Sequence, residues 1–409
     1  MKHVAVLTNL YYPIMDAPSA VIDKYINSLK NDYHFHIITK TNEYLYSPSN
    51  EYDLYFISSF RHRLYQKCLY NIKNKHHILI YKIILLGVRL CMIIQNQYAF
   101  PTSRKWEVKA YYSQLKLLYE KGLLDIVIAV SDNFVTQLAM LRFKKEYPNT
   151  KCISFVLDPY TELYIYYKCK MFKSIWKKAN FRKEHEVYDA ADYCLFSMEM
   201  YQYVKHAFDI DPKKIFPIHF TLNRELAGNI FNNGKNPCKL VYAGGFYKNI
   251  RNPDFMLATL SNISNIYVEL YVPRGECEDI ISKYVSEKIV RKDVVERNEY
   301  MNILSNSCDI LLNVGNNTSL QAPSKMVELL STGKPIINFS FSKDSQYEMI
   351  QKYPLGINIM NHELNAAKII TEFCEKMKGK MMPFEEVKTL FPDNCFENQV
   401  QLLKRIIES

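Results

Sequence analysis

The stretch from Ala322 to Phe339 reads APSKMVELLSTGKPIINF. A Pro-Ser-Lys corner leads into a short apolar helix, a glycine ends the helix, and an apolar strand follows. Ser324 or Pro323 is placed to open that helix, and Gly333 to close it as a C-cap. Lys325 and Glu328 stand three residues apart, so they share one helix face. A helix N-terminus attracts anions. The pair therefore offers a cation for a phosphate beside a carboxylate for a hydroxyl. The same residues would equally serve as a solvated lysine and glutamate on an amphipathic helix, and the rest of the chain decides between the two.

A second stretch of the same half-chain bears on that choice. Leu240–Leu257, LVYAGGFYKNIRNPDFML, runs a strand into Gly244 and Gly245, then Arg251, then a helix starting near Pro253. Two glycines let another group approach the backbone closely. The forked donors of Arg251 suit a phosphate. Alone, the stretch reads more readily as a tight turn with a solvated arginine, because short glycine motifs are weak. Both stretches follow strand ends at topologically related positions.

Short apolar runs alternate with longer amphipathic stretches along the whole chain, the pattern of βα units and parallel sheets. Strands are expected at His3–Thr8, His34–Thr39, Tyr52–Ile57, Asp125–Val130, Lys151–Leu157 and Ala191–Phe196. After the turn formers Asn232–Pro237 a second set begins, with strands at Leu240–Ala243, Tyr267–Val272, Ile310–Val314 and Pro335–Phe339. The fold class is therefore α/β, with two Rossmann-like, doubly wound domains facing a cleft at their strand C-termini. The first is expected over 1–232 and the second over 237–392. A terminal helix over 393–409 is expected to pack back toward the first.

The 409 residues exceed one ordinary core, which agrees with two domains. With 48% hydrophobic and 23% charged residues the composition is globular. No low-complexity run and no solenoid repeat is present. The ten cysteines are scattered, with no Cys-x-x-Cys and no Cys/His cluster at zinc spacing. They read as free thiols of a reducing compartment. The N-terminus reads as a first strand, not a signal peptide. The most apolar window, Ile78–Ile94, holds Lys82 and Arg89 and is short for a bilayer span, so it reads as buried or interfacial. A cytoplasmic protein, peripheral at the inner face of the membrane, is the expectation.

Residues 1–200 hold 27 Lys and Arg against 18 Asp and Glu, whereas residues 201–409 hold 25 against 24. Nearly all of the net +10 thus lies in the first half, which is expected to face something anionic. Residues 165–185, IYYKCKMFKSIWKKANFRKEH, place Phe172, Ile175, Trp176 and Ala179 at helical spacing among lysines. That is the form of an interfacial helix on anionic lipid, and equally of a core-packed helix with a solvated face. No nucleic-acid-binding module is recognisable, so no nucleic acid is expected as partner.

The combination AGGFYKNIR (243–251) and PSKMVELLSTGKPI (323–336) resembles the retaining glycosyltransferases of family 4, with the GT-B fold. The order of DIVIAVSDNFVTQLAMLRFKK (125–145), FVLDPYTE (155–162) and EHEVYDAADYCLFS (184–197) is similar to that family's strand–Ser loop, Asp-Pro-aromatic turn and Ala-Asp strand lead-in. The resemblance covers most of the chain and is weakest over residues 42–120. It implies a nucleotide-diphosphate-sugar donor, a glycan or lipid-linked glycan acceptor, and a role in bacterial surface polysaccharide assembly. Arg251 and Lys325 would hold the diphosphate, with Ser324 beside them. Glu328 would bond the ribose hydroxyls, and Gly244 and Gly245 would make room near the reaction centre. Asp158 would face the acceptor or donor sugar. Arg251 and Lys325 would stabilise the leaving group without a metal, since no carboxylate cluster for Mg²⁺ stands out.

Two departures from the family pattern stand out. Many relatives carry a further glutamate eight positions before the one at Glu328, and this chain has Leu320 there. The usual glycine-rich loop after the first strand is replaced by NLYYPIMDAPSA. A nucleotide-sugar epimerase and a non-catalytic scaffold subunit on the same fold therefore remain as alternatives.

Overall fold

A computed structural model describes residues 1–11, 15–40, 53–58, 60–98, 105–131, 134–162, 173–231, 234, 237–317 and 325–409. Two compact units emerge: Met1–Ile218 together with Val400–Ser409, and His219–Gln399. The chain thus passes from one unit to the other upstream of the Asn232–Pro237 turn cluster.

Seven strands of the first unit pair in parallel: β1 Lys2–Leu7, β2 Tyr33–Thr39, β3 Asp53–Phe56, β4 Ile126–Ser131, β5 Lys151–Val156, β6 Tyr193–Ser197 and β7 Ile215–Ile218. Their order is β3-β2-β1-β4-β5-β6-β7, the doubly wound arrangement. The central strands carry near-continuous apolar runs, and every residue of β4 is buried, because helices cover both faces. Ala5, Leu7, Val127 and Ala129 point into one core layer with Tyr111, Leu115 and Phe143. Val4, Val6, Ile128 and Phe155 point into the other. The last helix, Phe396–Glu408, adds Leu403, Ile406 and Ile407 to that second layer. Lys151 Nζ donates to the carbonyls of Ile406 and Ile407 at 3.3 and 3.2 Å, so a cation meets the negative end of the helix.

The second unit holds β8 Cys238–Ala243, β9 Ile266–Tyr271, β10 Ile289–Lys292, β11 Ile310–Val314, β12 Ile336–Ser340 and β13 Gly356–Met360. All pairs are parallel, in the order β10-β9-β8-β11-β12-β13. The ten strands expected from apolar runs are all present, within two residues at their ends. Three further strands, β7, β10 and β13, escaped that reading, and each is a sheet edge. Edge strands are short and half-exposed, and they tolerate the Pro217, Arg291 and Lys292 that broke the apolar pattern.

The helix Lys325–Ser331 and β12 meet at a buried turn. Lys334 is 1% exposed, and its Nζ donates to the carbonyls of Cys308 (2.8 Å) and Asn229 (3.0 Å). Burial pushes its pKa down. Gly333 has φ +71°, and a Cβ there would run into the Met382 carbonyl oxygen. Both the backbone angle and the space thus demand glycine. Gly333→Ala is expected to destabilise the protein by more than about 1 kcal/mol. Urea unfolding would show this as a lower midpoint at unchanged slope.

Candidate active site

Where a doubly wound sheet reverses its strand order, the loops leaving the two central strands diverge and open a crevice. In the second unit this point lies between β8 and β11. The loop after β8 carries Gly244, Gly245 and Arg251. The loop after β11 carries Gly315 and Asn316, and Lys325 begins the helix that follows. The two motifs found in the sequence therefore belong to the two strands that flank the switch point.

Hydrogen bonds tie the loops together. Arg251 Nε and Nη2 both donate to Asn316 Oδ1, at 3.1 and 2.8 Å. The backbones of Tyr247 and Arg251 exchange two hydrogen bonds, of 3.1 and 2.8 Å, which fix where the guanidinium starts. Asn317 N–H donates to the Ile250 carbonyl at 2.6 Å. Asn316 is buried, so the arginine is held by a partner that itself cannot swing into solvent.

Lys325 lies against Gly244. That glycine has φ +154°, and the position of a Cβ is already taken by Lys325 Nζ. The ammonium sits 5.3 Å from the centroid of the Tyr242 ring and 5.9 Å from that of Tyr300. Tyr242 in turn stacks on Phe246 at 4.3 Å. Among the described residues the ammonium makes no hydrogen bond and no ion pair. Burial, reinforced by the charge of Arg251 and opposed by Glu328, pushes the Lys325 pKa down to about 7. A group in this state gains most from an incoming anion.

Glu328 stands one turn along the same helix. Its Oε1 accepts from Arg297 Nη2 and its Oε2 from Tyr300 OH, each at 2.8 Å. Burial and this carboxylate raise the Tyr300 pKa, so the phenol stays a donor. The structure thus brings Gly244, Gly245, Arg251, Lys325 and Glu328 into one unit around one strand pair. Ser324 and Leu320 lie outside the described residues. Asn316, Tyr300 and Arg297 were not singled out in the sequence. The run NVGNN (313–317), leaving a strand at the switch point, is the signal that marks Asn316.

In the first unit Asp158 follows β5, and burial raises its pKa above the usual carboxylate range. The turn that carries it is anchored by Glu184, the acid that closes the 165–185 stripe. Glu184 is fully buried and accepts from the backbone N–H groups of Tyr160 and Thr161, both at 3.2 Å, and from Tyr188 OH at 2.8 Å. Tyr160 stacks on Phe134 at 4.2 Å. Glu184→Ala would leave two buried backbone donors unsatisfied, at a cost of about 1–3 kcal/mol per group. Chemical denaturation is expected to show the loss, and faster amide exchange at Tyr160 and Thr161 to locate it.

The surface of the first unit has two cationic features. Of the 165–185 stripe, residues 165–172 lie outside the described residues. Lys173–Ala190 is helical with Ile175 exposed, while Lys177 pairs with Glu162 at 2.6 Å. The helices Phe60–Lys73 and Ile78–Tyr98 form the other. Leu79, Ile83, Leu86 and Leu90 recur at helical spacing and are 52–73% exposed. No Asp or Glu occurs between Asp53 and Glu107, while nine Lys and Arg do. Among the described residues no helix is long and apolar enough to cross a membrane.

No protein-family model matches the chain, and no curated protein matches it in sequence. Solved structures match it in fold. Sucrose-phosphate synthase from Thermosynechococcus elongatus is 11% identical with a TM-score of 0.66, covering 100% of this chain and 98% of that one. The lipopolysaccharide outer core galactosyltransferase WaaB, in apo form, is 12% identical with a TM-score of 0.63, covering 100% and 99%. The Anabaena protein HepE, solved in complex with UDP, is 9% identical with a TM-score of 0.58, covering 100% of both. At such identities the likeness is one of fold. It is the expected one: two Rossmann-like, doubly wound domains of the GT-B class.

Proposed function

We propose that the protein is a retaining glycosyltransferase of the family-4 kind. It moves a sugar from a nucleotide-diphosphate donor to a glycan or lipid-linked glycan, as in assembly of bacterial surface polysaccharide. One observation carries this reading: at the switch point of the second sheet an uncompensated lysine, an anchored arginine and a carboxylate surround a glycine turn. A diphosphate fits the two cations, and the ribose hydroxyls fit Glu328. The fold neighbours include a galactosyltransferase and a protein solved with UDP, which supports the donor class.

In the proposed reaction the bond between the anomeric carbon and the diphosphate oxygen breaks, and its electron pair leaves on the diphosphate. Arg251 and Lys325 stabilise that charge from fixed positions, so little reorganisation accompanies the step. The acceptor hydroxyl bonds to the anomeric carbon on the leaving-group face, and the departing phosphate oxygen takes its proton. Asp158 is assigned to the hydroxyls of the sugar or acceptor. No metal is needed for the charge to be balanced by two cations.

Incubation with a panel of nucleotide sugars and acceptor glycolipids is expected to release free nucleoside diphosphate and a lengthened glycan. Arg251→Ala and Lys325→Ala are each expected to lower the rate on the order of 10²-fold or more. A product that keeps its nucleotide would make the protein an epimerase. Nucleotide binding with no turnover across the panel would make it a scaffold.

The protonation of Lys325 supplies a second test. Burial and the charge of Arg251 push its pKa down to about 7 in the free protein, and a bound diphosphate would raise it. Binding above pH 7 must therefore take up a proton, and nucleotide affinity is expected to fall as pH rises from 7 to 9. Titration calorimetry across that range measures the slope, which Lys325→Ala should abolish.

We also assign the exposed face of the Ile78–Tyr98 helix to an anionic bilayer surface, where a lipid-linked acceptor would reside. The apolar ridge suits the acyl boundary and the acid-free cationic surround suits the head groups. Sedimentation with phosphatidylglycerol vesicles at low salt is expected for the native chain and not for Leu79→Asp/Ile83→Asp. Equal sedimentation of both would exclude this face as the contact.

A further inference from the structure

The N-terminal edge of the first sheet, away from the strand ends that carry Asp158, gathers three histidines. His34 and His36 are two apart on β2, so they project from one face of the strand. Strand pairing sets His3 of β1 beside His34, and Asp53 of β3 beside His36. All four side chains continue the face that holds Ala5, Leu7 and Ile38 further along the strands. Apolar residues fill that face toward the C-terminal ends, and imidazoles replace them at this edge.

The rings meet closely. One nitrogen from each of His3, His34 and His36 lies within 4.8 Å of the other two. His3 Nδ1 and His36 Nε2 are 3.0 Å apart. Asp53 Oδ2 lies 2.9 Å from His34 Nε2 and 3.2 Å from His36 Nδ1. The carboxylate accepts from His34 Nε2, while His36 Nδ1 faces both Asp53 and, at 3.3 Å, the Tyr55 hydroxyl. That leaves His34 its Nδ1 for an ion, and a neutral His36 that donates from Nδ1 leaves its Nε2, the nitrogen facing His3, unprotonated. A carboxylate behind a histidine is the usual second partner of an imidazole that binds a metal, since it fixes the tautomer and the ring. Ligands about 2.0–2.1 Å from a tetrahedral ion stand about 3.3 Å apart, close to the separation of His3 and His36.

We propose that His3, His34 and His36 form a binding site for a zinc-like divalent transition-metal ion, oriented by Asp53. Three neutral imidazoles suit zinc, and also nickel and copper, better than magnesium or calcium, which seek oxygen. His36 is 1% exposed, whereas His34 and Asp53 are 47% and 49% exposed at their side chains. An ion can therefore enter from solvent and keep a water in its fourth position. A His3 that binds through Nδ1 carries its proton on Nε2, so binding needs at most a change of tautomer. The ion would clamp β1 to β2 at the sheet edge. The site is independent of the donor site and of the glycosyltransferase reading.

The test uses the full chain without a histidine tag. Zinc titrated against a chromophoric chelator, followed by elemental analysis after dialysis, is expected to give one bound ion per chain. Cobalt in its place is expected to show the intense visible bands of a four-coordinate ion. His34→Ala is half-exposed and should fold, as circular dichroism would check, yet bind zinc at least tenfold more weakly. His206→Ala, on an exposed helix position, should bind as the native chain does. No stoichiometric zinc at micromolar concentration would overturn the proposal. So would equal affinity in the native chain, His34→Ala and His3→Ala.

Discussion

Parallel pairing of β8 with β11, with Ile310 opposite Leu240 and Leu311 opposite Val241, is the constraint from which the candidate site follows. These two strands are separated by two complete βα units in sequence, and their pairing makes the sheet turn back on itself. Loops that would otherwise lie strands apart then share one crevice. The Arg251–Asn316 hydrogen bonds join them, and Lys325 reaches Gly244 because its helix starts from the β11 side. Without that adjacency the glycine turn and the lysine helix would be unrelated surface features.

Two lysines nine residues apart show how differently the same side chain can be used here. Lys334 is enclosed and donates to two carbonyls, so its cost of burial is offset within the fold. Lys325 is half-buried between two tyrosine rings, and its pKa is pushed to about 7 because Arg251 adds repulsion to burial. A diphosphate relieves both penalties. The proposed chemistry thus follows from a charge that the free protein stabilises poorly. Gly244 is what allows this, since any Cβ there would displace the ammonium.

Much of this was legible in the sequence. Central strands such as β4 and β11 are buried on both faces, so their apolar runs are unbroken and easily read. The edge strands β7, β10 and β13 carry prolines, charges or amides, and their pairing is decided by the neighbour, not by their own pattern. The placement of Arg251, Lys325, Glu328 and Gly244 around one strand pair was readable because the motif geometry is local. Asn316 is marked only by the NVGNN run after its strand, and Tyr300 by nothing local, because their part depends on which loop lies opposite. Glu184 lies 24 residues beyond the turn it anchors, and it reads as one more charge on a solvated helix. The histidines show the same limit: His34 and His36 are two apart in sequence, but His3 joins them only through the register of β1 on β2.

The proposed transfer requires Lys325 and Arg251 to receive a nucleotide diphosphate. The most direct test is a thermal-shift panel of UDP, GDP, ADP, CMP and dTDP on the native chain and on Lys325→Ala. A ligand at 100 times its dissociation constant should add roughly 2.7 kcal/mol to stability. A rise in melting temperature is expected with one of the diphosphates, absent with CMP and lost in Lys325→Ala. No rise with any nucleotide, or an equal rise in the variant, would contradict that requirement.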